Sequence, residues 1–196
     1  LEIRREYVAP IAAAFPDLQV IPYVIPGRTG AQLLPEDLGL LSQKHKNVSS
    51  VKEATGNLDN MKHTRACCGP DFTILSGDDG MTFAMMTDPQ IMAGGVISVA
   101  SNVAPGAVVR MVGLLREGRQ DEARHLFSAL EPLFGLVTVK TMEKTPYGEV
   151  VCRGGNNFVP YTRNPEQMQR LLEETGADER DVFHIVGEWA KGHDFG

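Results

Sequence analysis

The chain has 196 residues, 42% of them hydrophobic and 22% charged, enough for the core of one ordinary domain. A net charge of −6 argues against the basic footprint of a nucleic-acid binder, and no apolar run approaches the roughly 18 residues of a membrane span. The early charges Glu2 to Glu6 belong to an amphipathic pattern rather than to a signal peptide, so a soluble cytoplasmic protein is expected.

The sequence opens at Leu1, without a methionine, inside a helical pattern carrying Ile3, Tyr7, Val8, Ile11 and Phe15 at helical spacing. No N-cap residue precedes this pattern, which predicts an upstream segment. L-Q-V-I-P-Y-V-I-P follows, apolar on both faces like a strand in a covered parallel sheet, and ends in G-R-T-G. P-E-D-L-G-L-L-S-Q-K reads as a helix with Pro35 in its first turn, and N-V-S-S-V-K as the second strand. N-L-D-N-M-K-H-T-R-A-C-C is a helix, D-F-T-I-L-S-G-D-D a third strand and D-P-Q-I-M-A a short helical piece. G-G-V-I-S-V-A-S is the fourth strand, and P-G-A-V-V-R-M-V-G-L-L-R-E-G the helix after it.

Strands alternating with helices predict right-handed βαβ units and an α/β fold on a parallel sheet. The pattern fits half of a (β/α)8 barrel better than a doubly wound sheet. No G-x-G-x-x-G or G-x-x-x-x-G-K-[ST] stands at a strand end to support nucleotide binding. The four strands are expected in sequential order, with Ile21 and Tyr23 on one edge and Val96 and Ile97 on the other. Residues 1–120 make up this barrel portion. Residues 121–196 are expected to form a helical appendage offering an oligomer contact. Its helices are D-E-A-R-H-L-F-S-A-L-E-P-L-F-G-L-V, P-E-Q-M-Q-R-L-L-E-E-T-G and E-R-D-V-F-H-I-V-G-E-W-A-K, with a loop-rich crossover from Thr145 to Tyr161.

Three cysteines, of which Cys67 and Cys68 are vicinal and Cys152 is distant, make neither a disulfide framework nor a metal knot. Five histidines (45, 63, 125, 184 and 193) show no H-x-x-x-H pair, so no metal site is expected.

Reacting groups of a (β/α)8 barrel project from the C-terminal ends of its strands. The polar residues there are Tyr23 and Arg28, Lys52 and Glu53, Ser76 to Asp79, and Ser98 and Ser101. Lysine is seldom buried without a partner or a use, so Lys52 at a strand end demands an explanation. A neutral amine can attack a ketone and form a Schiff base. Tyr23 can move protons, and Arg28 offers a planar fork for a carboxylate. Each also has a plainer reading: a solvated lysine, a packing aromatic, an arginine paired with an acidic neighbour. G-D-D-G lacks the spaced acids of a calcium loop and reads as a turn.

Y-V-I-P-G-R-T-G, V-K-E-A-T-G-N, L-S-G-D-D and G-G-V-I-S-V-A-S-N-V-A-P, taken as a set, resemble the second half of the dihydrodipicolinate synthase family over roughly Leu1 to Leu130. The resemblance implies strands 5–8 of a (β/α)8 barrel, a pyruvate-dependent class I aldolase without metal or organic cofactor. The substrates it implies are pyruvate and aspartate semialdehyde, on the route to diaminopimelate and lysine. It gives Lys52 as the Schiff-base lysine, Tyr23 as the proton-relay tyrosine and Arg28 as the receptor of the semialdehyde carboxylate. Gly77 and Ile97 match positions lining the pyruvate pocket through backbone groups. It also implies a homo-oligomer. Relatives that cleave sialic acid share the lysine and tyrosine but usually lack the arginine. The family's first half, with its Thr-Thr clamp and second tyrosine, is absent from this sequence, and the tail after about Thr141 departs from the family pattern. An aldolase for another 2-oxo acid and a non-catalytic paralogue remain open alternatives.

Overall fold

The computed structural model describes residues 2–136, 143–145 and 148–150. The later helices expected from P-E-Q-M and E-R-D-V lie outside the described residues.

Four strands, β1 (Tyr23–Val24), β2 (Ser50–Glu53), β3 (Thr73–Ser76) and β4 (Gly95–Val96), pair in the order β1-β2-β3-β4, all parallel. Tyr23 is thus on one edge and Val96 on the other, as the sequence predicts. β1 is short because Pro22 and Pro26 bracket it and neither has an N–H to give a ladder. A separate antiparallel pair, β5 (Glu143–Thr145) and β6 (Gly148–Val150), replaces the start of the expected crossover loop.

The register sets Tyr23 beside Lys52 and Lys52 beside Leu75, which faces Gly95. Side chains alternate along a strand, so these four positions share one face and Val24, Val51 and Ile74 share the other. The second face is the core. It packs on α3 (Pro35–Lys44) and α4 (Leu58–Cys68) through Leu38, Leu41 and Met61, all nearly inaccessible. α3 and α4 approach closely at Gly39, where a Cβ would lie 2.8 Å from the Cys67 carbonyl oxygen. The first face is open. Ile21, Tyr23 and Ile97 are each about 40% exposed there, as the inner wall of half a barrel would be.

The N-terminal helix departs from the expected stripe. Ile3–Val8 is wound as a π-helix and continues into α1 (Ala9–Ala14). A π turn closes i→i+5 and brings Ile3 over Val8, so Ile3, Val8 and Ala12 meet the core. Tyr7, Ile11 and Phe15 are left exposed. D-P-Q-I-M-A is also not helical. The helix here is α5 (Thr82–Thr87), which stops at Asp88, whose side chain accepts the Gln90 N–H in the Pro89 turn. G-R-T-G, which follows the first strand, belongs to a single helical turn, α2 (Pro26–Thr29), ended by Gly30 at φ 64°.

α6 (Pro105–Arg116) and α7 (Gln120–Leu136) form a second cluster through Ala107, Val108, Met111, Leu130 and Leu133. Two polar groups, one buried and one half-buried, fasten the N-terminal ends of the strands. Arg65, 8% exposed, donates to the carbonyls of Gly69, Pro70, Phe72, Ile91 and Met92. Asn47 Nδ2 likewise donates to the carbonyls of Ala12, Phe15 and Leu18.

Candidate active site

Lys52 lies near the C-terminal end of β2, half-buried, with its backbone N–H donating to the Pro22 carbonyl at 2.9 Å. Its neighbour across the ladder is Tyr23, and its Nζ stands 4.0 Å from the centroid of the Tyr23 ring. An ammonium at that distance over an aromatic face is attracted by about 0.5–1 kcal/mol. The contact aims the flexible lysine across the open face toward β1. The two residues singled out by sequence are therefore brought together.

Gly77 follows β3, and its N–H donates to the Glu53 carbonyl at 2.7 Å. Ile97 follows β4, and its N–H donates to the Ser76 carbonyl at 2.9 Å. Both continue the parallel ladder just past the strand ends, on the same rim as Lys52. Arg28 sits on α2, directly after β1, and is exposed. Among the described residues its side chain has no ion pair, so the plainer reading of an arginine spent on an acidic neighbour gains no support.

Glu53 stood beside Lys52 in sequence, but alternation sends it to the opposite face, where it is 1% exposed. Its carboxylate accepts from the Thr55 N–H at 2.8 Å and from Asn60 Nδ2 at 3.2 Å, and Asn60 Oδ1 accepts from Gln32 Nε2. Burial pushes the Glu53 carboxyl above its ordinary value, while the hydrogen bonds from Thr55 and Asn60 pull it down. Glu53 therefore shapes the loop that follows Lys52 and does not face the site.

Sequence reading assigned no role to Asp79 beyond a turn. It is 6% exposed, and its Oδ2 accepts from the N–H groups of Val99 and Ala100 at 2.9 and 3.0 Å. This ties the rim loop after β3 to the one after β4. Only an acid two residues past a strand-end glycine hinted at it, a signal too common to point at Val99. Ser98 and Ser101 are consumed locally: Ser98 Oγ accepts the Ser101 N–H, and Ser101 Oγ donates to the Ser98 carbonyl. Ser76 is fully buried, with its Oγ donating to the Asp78 carbonyl. Among the described residues no group of three His, Cys, Asp or Glu side chains is placed to hold a metal ion. Nor is any described helix long and apolar enough to cross a membrane.

Residues 3–174 match the model of the dihydrodipicolinate synthetase family. The chain is 40% identical over 124 residues to 4-hydroxy-tetrahydrodipicolinate synthase of Persephonella marina, covering 63% of this chain and 41% of that protein. The enzyme of the same name from Escherichia coli O139:H28 is 42% identical over 124 residues, with the same coverage. Among solved structures, dihydrodipicolinate synthase from Thermotoga maritima superposes with a TM-score of 0.66 at 28% identity, over 89% of this chain and 61% of that one. The 4-hydroxy-tetrahydrodipicolinate synthase of Methylacidiphilum fumariolicum SolV gives 0.67 at 29% identity, over 95% and 62%. The chain thus spans about two-fifths of the length of the curated relatives it matches. Its four sequential parallel strands, backed by helices on one face, are the second half of a (β/α)8 barrel. The chain belongs to the dihydrodipicolinate synthetase family.

Proposed function

We propose that Lys52 is the nucleophile of a class I aldolase-type synthase, whose amine forms an imine with pyruvate. The amine adds to the ketone carbon and water leaves. The iminium then draws electrons from the adjacent methyl group, which loses a proton to become a carbon nucleophile toward an aldehyde. Tyr23 carries protons in these steps, and Arg28 receives the carboxylate of the aldehyde substrate. Gly77 and Ile97 line the pyruvate pocket through backbone groups. The aldehyde is aspartate semialdehyde, as the names of the similar synthases suggest, which puts the reaction on the route to diaminopimelate and lysine.

The observation that carries this reading is the Lys52–Tyr23 pair at the C-terminal rim of a parallel sheet in a member of this family. The site needs groups from the strands that would complete the barrel, so this half of the barrel by itself should be inactive.

Treatment of the completed barrel with pyruvate and borohydride should add one reduced pyruvate by intact mass, and Lys52→Ala should abolish the adduct. An undiminished adduct in Lys52→Ala sinks the assignment. Condensation of aspartate semialdehyde by the completed barrel tests the substrate. Turnover only with the aldehyde of another 2-oxo acid aldolase would reassign it.

A further inference from the structure

Lys52 has a neighbour on each side. Toward β1 its Nζ meets the ring of Tyr23, and toward β3 its Cε borders the space that a side chain at Gly77 would enter. A Cβ built on Gly77 would lie 3.1 Å from Lys52 Cε, 2.8 Å from Ala54 Cβ and 3.1 Å from the Glu53 carbonyl oxygen. The same Glu53 oxygen accepts the Gly77 N–H at 2.7 Å, so the backbone cannot retreat without losing that bond. The backbone at Gly77 does not take the left-handed conformation found at Gly30 and Gly56. Glycine is therefore required here by what surrounds it and not by its own dihedral angles.

We propose that Gly77 is a positioning residue: the absence of a side chain at 77 leaves the room in which the Lys52 side chain lies against the Tyr23 ring. Its functional meaning rests on Lys52 being the imine-forming nucleophile; the geometry does not. Of the three groups that crowd a Cβ at 77, two belong to backbone or its first carbon, held by the ladder. The third is the far end of a flexible side chain. Carbon–carbon contacts settle at about 3.5–4.0 Å, so Lys52 Cε would yield by about 0.5–1 Å. A misplacement of about 1 Å at a reacting group can cost about 100-fold in rate. The missing side chain sets the direction of the nucleophile as much as the ring does.

Gly77→Ala alone also strikes Ala54, so the test uses Ala54→Gly as its background, in this chain with the barrel completed. Two readouts are taken: the NMR position of the Lys52 ε-methylene, shifted upfield by the Tyr23 ring and assigned by its loss in Lys52→Ala, and the rate of borohydride trapping with pyruvate. Ala54→Gly should keep both. Ala54→Gly/Gly77→Ala should move the Lys52 ε-methylene signal and trap pyruvate about 10- to 100-fold more slowly, with a thermal midpoint matching Ala54→Gly. An unmoved Lys52 signal in the double variant overturns the proposal, whether or not its midpoint falls. If the signal moves but the unsubstituted completed barrel gives no adduct at Lys52, the positioning role stands and the imine reading fails.

Discussion

Lys52 and Tyr23 are lateral partners across the β1–β2 ladder, and the Nζ of one stands 4.0 Å from the ring centroid of the other. The arrangement gives Tyr23 two separable duties, a ring face that holds the lysine and a hydroxyl that can carry protons. Tyr23→Phe keeps the first and removes the second. It should leave the Lys52 ε-methylene signal in place while slowing pyruvate trapping by about 100-fold or more. Tyr23→Ala should lose both. Full-rate trapping by Tyr23→Phe would take the proton relay away from this hydroxyl.

Arg28 is exposed on a one-turn helix past β1. Arg28→Ala should leave pyruvate trapping unchanged. In the completed barrel it should raise the KM for the aldehyde, because a charge-assisted bond to its carboxylate contributes about 1.5–3 kcal/mol, roughly 10- to 150-fold. Steady-state kinetics with each substrate varied in turn decides this. An equal loss of pyruvate trapping would mean that Arg28 serves pyruvate.

Glu53 makes stability depend on pH. Burial raises its folded-state value above the ordinary 4.5, so the folded chain holds the proton more tightly than the unfolded chain does. Its contribution is fully present below about 4.5 and is lost as pH rises through the raised folded value. Glu53→Gln cannot ionise. The midpoint of Glu53→Gln minus that of the unsubstituted chain should grow as pH is raised from 4 to 7, by the linkage of proton binding to folding, on the order of a few degrees. A difference that stays flat over this range would refute the argument.

Arg65 closes the end of the sheet remote from the site by donating to five carbonyls. Lysine has the charge but neither the fork nor the reach to meet all of them. Arg65→Lys should lower unfolding stability in urea by about 2–4 kcal/mol, the cost of leaving buried acceptors unpaired. The Lys52 ε-methylene signal should not move, since the two groups lie at opposite ends of the strands. A loss below about 0.5 kcal/mol would show that water replaces the guanidinium there.

Local chemistry was legible in the sequence wherever it depends on short-range pattern. Alternating β-branched runs and amphipathic segments announced a parallel α/β sheet, and Pro35 and Asn57 marked helix starts that the structure keeps, Asn57 capping α4 through the N–H groups of Asp59 and Asn60. The order of the strands followed too, because right-handed crossovers between consecutive parallel strands leave few other arrangements. The motif around Lys52 carried the family. Other assignments failed where winding or punctuation intervened. The π turn at Ile3–Val8 rotated Tyr7, Ile11 and Phe15 out of the core, and Pro89 turned an expected helix into a bend.

What only the tertiary structure decided are contacts between residues far apart in the chain. Pairing Tyr23 with Lys52 across 29 positions needs the register of β1 against β2. Asp79 finds Val99 and Ala100 because two rim loops happen to converge, and Gly77 owes its identity to the Cε of Lys52 and the Cβ of Ala54. Propensity and periodicity act over a turn of helix or a few strand residues, so they choose the elements. The space left between elements once they pack is fixed by side chains from all of them together, and it is there that a glycine, a buried acid or an aromatic ring acquires its role.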